Sequence, residues 1–131
     1  MDNVTTIFLV DDEKMANIYN RNVFSAYGYS GTLESFEQPF QALQQLRHLA
    51  YNDPGGFPQL LLLDILMPEM DGWAFLDEYE QLPKEVIAGC RVVLLTAVKD
   101  LSEIHLRSYA SVNGYLSKPL SVEQLKFLFK S

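Results

Sequence analysis

The chain has 131 residues, 48% hydrophobic and 21% charged, which fits one globular domain with its own core and excludes a disordered or fibrous chain. A formal net charge of −7 with no basic patch argues against nucleic-acid binding by phosphate neutralisation. A single cysteine, no leader-like N-terminus and no apolar run of spanning length lead us to expect a reducing, cytoplasmic setting.

In chain order, 5–10 (TTIFLV) reads as a buried strand. Residues 13–28 follow as a helix, with Ala16, Tyr19, Val23 and Tyr27 at inward spacing and Gly28 as the C-cap; Met15 and Ile18 then fall on the exposed side. A weaker strand covers 31–36. A helix covers 39–50, opened by Pro39, a residue favoured at the first helical position. Residues 52–58 (NDPGGFP) form a loop. The leucine run of 59–64 is the strongest strand signal. A helix over 72–82 stops at Pro83. Then come a strand over 91–97, a helix over 101–112, a short strand over 114–118, and a helix over 121–130 with Ser121 as N-cap.

Five strands alternating with five helices predict an α/β fold with a parallel sheet covered on both faces. Right-handed crossovers make the flavodoxin-like doubly wound (βα)5 order 2-1-3-4-5 the expected one. In such sheets ligands sit at the carboxyl ends of the strands. Those ends carry Asp11 and Asp12 (strand 1), Asp64 (strand 3), Thr96 (strand 4) and Lys118 (strand 5).

Crowded carboxylates repel, and a divalent cation relieves them. Magnesium suits the set, because it prefers hard oxygen ligands and no His or Cys is placed there. A nucleophilic carboxylate, a metal, the Lys118 ammonium and the Thr96 hydroxyl are the parts that phosphoryl transfer needs. Each residue alone has an ordinary reading as cap, turn or solvated side chain. The conjunction at one sheet edge favours chemistry. His48 and His105 read as surface residues, and Trp73 as boundary packing.

Four segments, FLVDDE (8–13), LLLLDILMPEMDGW (60–73), VVLLTA (92–97) and GYLSKPL (114–120), give the whole chain its likeness: it resembles the receiver domain of two-component response regulators. The resemblance implies Asp64 as phosphoacceptor and Asp12 as direct magnesium ligand. Asp11 would act through water, and the Leu66 backbone carbonyl would complete the metal site. It further implies Thr96, Lys118 and Tyr115 as the phosphoryl-stabilising and switching residues, with a cis bond between Lys118 and Pro119. The implied donor is a histidine kinase or histidine phosphotransfer protein. The implied output is an unknown protein meeting the face of the 101–112 helix, strand 5 and the last helix, with no nucleic acid and no membrane. Such a domain is not an enzyme beyond assisting its own phosphorylation and dephosphorylation.

Two departures stand out. Leu66 and Val98, two residues beyond Asp64 and Thr96, are apolar and cannot orient an attacking water, so slow self-dephosphorylation is expected. The 52–58 loop is also longer than is usual for the family. The chain reads as a stand-alone receiver, or alternatively as a receiver excised from a hybrid kinase or larger regulator. A magnesium-dependent aspartyl-phosphate phosphatase is the rival of another class. It wants an acid two residues after the nucleophile, where Leu66 stands.

Overall fold

A computed structural model describes residues 4–67, 70–97 and 109–130. Its elements are β1 (Thr6–Val10), α1 (Lys14–Tyr27), β2 (Thr32–Phe36), α2 (Pro39–Asn52), β3 (Leu60–Leu63), α3 (Gly72–Tyr79), the single turn α4 (Lys84–Ile87), β4 (Arg91–Thr96), β5 (Val112–Ser117) and α5 (Val122–Lys130). The five strands form one parallel sheet in the order β2-β1-β3-β4-β5, as expected.

The apolar strands are buried on both faces, which is what near-continuous apolar sequence in a parallel sheet predicts. Phe8, Val10, Leu61, Leu63, Val92 and Leu94 point to one side, where α2 and α3 cover them. Ile7, Leu9, Leu60, Leu62, Val93 and Leu95 point to the other, under α1 and α5. The alternation follows from the two-residue period of a strand. Register places Val10 beside Leu63 and Leu63 beside Leu94, so the carboxyl ends of β1, β3 and β4 share one edge.

Local signals set the helix ends. Gly28 caps α1 at φ 99°, a left-handed conformation that a side chain would strain. Pro39 opens α2. The Asp71 carboxylate accepts a bond from the Ala74 amide and caps α3. At α5 the Ser121 hydroxyl accepts from the Gln124 amide, while the Gln124 side chain accepts from the Ser121 amide. That reciprocal pair is a capping box, with Gln124 as its second member.

Three boundaries differ from the sequence reading. Residues 52–58 are partly regular: α2 runs through Asn52, and a 3-10 turn covers Pro54–Gly56. Beyond Tyr79 the chain leaves α3 in turns, and after Pro83 comes α4, which the sequence reading did not include. The helix expected over 101–112 lies largely outside the described residues, and its last residue, Val112, begins β5.

The inward face of α1 also departs from expectation. Asn17, Asn20 and Phe24 are its buried residues, whereas Tyr19 is 46% exposed. Tyr19 reaches out of the helix so that its hydroxyl can donate to the Leu120 carbonyl at 2.8 Å. An amphipathic side chain of that length need not bury its ring to be anchored. Met15 and Ile18 are exposed, as expected.

Candidate functional site

At the carboxyl edge β1 ends in Asp11, which is almost fully buried. Its amide donates to the Phe36 carbonyl of β2 at 3.1 Å. One carboxylate oxygen accepts from the Glu13 amide at 3.0 Å, tying the side chain to the turn into α1. The other meets Lys118 Nζ at 2.7 Å. Asp12, half-buried, is the more open of the pair. Beyond β3, Asp64 is 6% exposed, and its amide donates to the Val10 carbonyl at 2.9 Å. Its Oδ1 accepts from the Leu66 amide at 3.3 Å, and its Oδ2 lies 3.4 Å from Lys118 Nζ. Lys118 therefore bridges two acids and sits closer to Asp11 than to Asp64.

Carboxylate oxygens of Asp11, Asp12 and Asp64 all lie within 4.8 Å of one another. Three hard oxygen donors at that spacing, with no imidazole or thiolate among them, fit a magnesium ion. Burial pushes the Asp64 carboxyl above its ordinary range; the Lys118 charge works against this without cancelling it, and Asp11 adds repulsion. Burial works to lower the Lys118 ammonium, but its hydrogen bond to Asp11 and the charges of Asp11 and Asp64 outweigh that and raise it. The net pattern is a lysine held charged beside an aspartate that burial alone leaves reluctant to ionise. A divalent cation would supply the missing positive charge.

Thr96, 1% exposed, ends β4 beside this cluster, and its carbonyl accepts from the Lys118 amide at 2.9 Å. The Lys118–Pro119 bond is cis. Leu66 is 61% exposed, while Tyr115 on β5 is half-exposed and outside the acidic cluster. The structure thus gathers Asp11, Asp12, Asp64 and Lys118 into contact range and sets Thr96 at the adjoining strand end. Val98 and His105 lie outside the described residues, and His48 is exposed.

Sequence reasoning missed the buried amides of α1. Asn17 and Asn20 are buried on the inner face of α1 and line a small space together with Asp11 and Asp64. A signal was present: Asn17, Asn20, Phe24 and Tyr27 share one helical stripe, and the polar pair opens it five residues past Asp12. Choosing the stripe by hydrophobicity alone selected its neighbour.

Comparison with known proteins follows the geometry. The family model for the response regulator receiver domain matches residues 7–130. The "Probable methanogenesis regulatory protein FilR2" of Methanothrix harundinacea is 32% identical over 123 residues, 92% of this chain and 76% of that protein. Sporulation initiation phosphotransferase F of Bacillus subtilis is 28% identical over 120 residues, 92% of this chain and 86% of that protein. Several other regulators are matched over about half their own length. The crystal structure of a two-component response regulator from Cytophaga hutchinsonii superposes with a TM-score of 0.85 at 24% identity, over 97% of this chain and 95% of that one.

Proposed function

Because the chain belongs to the response regulator receiver family, we propose that it takes a phosphoryl group onto Asp64 from a phosphohistidine of a histidine kinase or phosphotransfer protein. The supporting observation is the bridge of Lys118 between Asp11 and Asp64 inside a cluster of three carboxylates. In the transfer an Asp64 oxygen forms the new P–O bond as the P–N bond of the donor breaks, and the imidazole leaves with the electron pair. Asp12 and Asp64, with the Leu66 carbonyl and with Asp11 through water, would hold magnesium, which supplies charge neutralisation for the phosphoryl oxygens.

The chain's own residues do the rest. Asp64 is tied to the edge at both ends: its amide donates to the Val10 carbonyl of β1, and its carboxylate accepts from the Leu66 amide. Lys118 stands ready to pair with a phosphoryl oxygen once Asp64 is esterified, because its ammonium already lies 3.4 Å from that carboxylate. Thr96 supplies a hydroxyl at the neighbouring strand end. Tyr115 reports the modification by changing its exposure, which shifts the population of the face it belongs to. Leu66, two residues past Asp64, is apolar and cannot orient an attacking water, so the acyl phosphate is long-lived.

The test is phosphorylation by acetyl phosphate with magnesium, read by intact mass on wild type and Asp64→Asn. A single added phosphoryl group that needs both magnesium and Asp64 is expected. Modification that persists in Asp64→Asn, or that ignores magnesium, refutes the reading. Release of phosphate from small phosphomonoesters would favour the phosphatase class instead.

A further inference from the structure

The residue beneath the acidic cluster is an amide in a place where a hydrocarbon would be ordinary. Asn17 is 4% exposed on the inner face of α1. Its Nδ2 donates to the Asp11 carbonyl at 2.9 Å and makes a longer contact of 3.5 Å with the Phe36 carbonyl. The Phe36 carbonyl also accepts from the Asp11 amide. One side chain on α1 therefore grips the end of β1 and the end of β2 together. The carbonyl it holds belongs to the peptide joining Asp11 to Asp12, so the amide fixes the unit from which both carboxylates project.

That grip has a cost that orients the interpretation. With Nδ2 committed to two carbonyls, Oδ1 must face away, and it is buried with no hydrogen-bond partner. The small space that Asn17 lines together with Asn20, Leu62 and Leu95 is too tight to hold a water molecule. A buried acceptor without a donor is destabilising. Departures from local good order concentrate where a site is held for another purpose.

We infer that Asn17 is a positioning residue for the divalent cation. By clamping the Asp11–Asp12 peptide, it sets the convergence of those two carboxylates on Asp64, and the orphaned oxygen is what that geometry costs the fold. The inference rests on the magnesium reading of the site. Second-layer groups that orient metal ligands commonly change affinity about 10–100-fold when lost.

Asn17→Leu separates this role from a merely structural one. Leucine keeps the branched shape and removes both the donor and the orphaned acceptor. It leaves the Asp11 carbonyl unpaired in exchange, so one buried unpaired acceptor replaces another. The urea midpoint should stay near wild type while magnesium affinity, measured by titration calorimetry, falls about tenfold or more. Asn20→Leu serves as the control: it is equally buried, yet the amide that holds Asp11 is that of Asn17, so its affinity should match wild type. Should Asn17→Leu not fold, Asn17→Ala in the same assay carries the test. Wild-type affinity in a folded Asn17 variant overturns the inference, as does an equal loss in Asn20→Leu. A wild-type protein that binds no magnesium overturns the site reading beneath it, so the two failures are told apart.

Discussion

Asp64 gains little from its setting in the metal-free protein. Burial raises its pKa, so the folded state binds the proton more tightly than the unfolded chain does. Its contribution to stability is then full below the ordinary carboxylate pKa and is lost as pH rises through the folded value. In chelator, the melting temperature should therefore fall as pH rises above the ordinary carboxylate pKa. Asp64→Asn should remove that part of the slope and melt above wild type at neutral pH. Added magnesium should narrow the gap, since a ligand that binds only the folded wild type stabilises it. Thermal unfolding with and without the cation checks this, and a less stable Asp64→Asn in chelator contradicts it. The residue is held ready at the expense of the resting fold, and so is Asn17 with its orphaned oxygen.

Between the residues and the whole, α3 is the element most tightly fitted to the site. Its first residue, Gly72, donates to the Ile65 carbonyl at 2.7 Å. A Cβ added there would meet the Ile65 Cα at 2.8 Å and the Asp64 carbonyl at 3.1 Å, both of them backbone atoms that cannot swing aside. Gly72→Ala should therefore displace the segment after Asp64, destabilise the fold by about 1–3 kcal/mol and weaken magnesium binding with it. Urea denaturation and titration calorimetry together test this; an unchanged protein in both assays would show that the loop yields freely. Most elements were legible because their signals are strong and local: the leucine run of β3, Pro39 at the start of α2, Gly28 at the end of α1. The inner face of α1 was not, because Asn17 is buried there for the sake of the strand ends it holds, and hydrophobic spacing cannot register that. The turn α4 is too short to show a helical period at all.

Across the whole molecule the two ends of the sheet have opposite characters. The carboxyl end buries Asp11, Asp64 and Thr96. At the other end, Tyr27 and Tyr29 stack with Phe129 of α5 at ring-centroid distances of 5.1 and 6.2 Å, and Phe24 meets Phe129 edge-on. Stability and chemistry should therefore be separable. Phe24→Ala should lower stability by about 3–5 kcal/mol yet leave magnesium affinity of the folded protein near wild type, as denaturation and calorimetry on the same sample would show. A matching loss of affinity would mean that α1 transmits packing defects along its length. The placement of Asp11, Asp12, Asp64, Thr96 and Lys118 at one edge could be read from the sequence, because topology alone dictates where strand ends meet. Which acid Lys118 prefers could not, because that depends on distances of a fraction of an ångström.

Trp73, the sole tryptophan of the chain, follows Gly72 directly and stacks on Tyr109 with ring centroids 5.6 Å apart. The Tyr109 hydroxyl donates to Asp77 at 2.9 Å, which holds that ring over α3. An indole one residue from the backbone that abuts Asp64, held against a phenol ring, is a built-in fluorophore. Its emission offers an optical record of events at the acidic edge without any dye, label or engineered substitution.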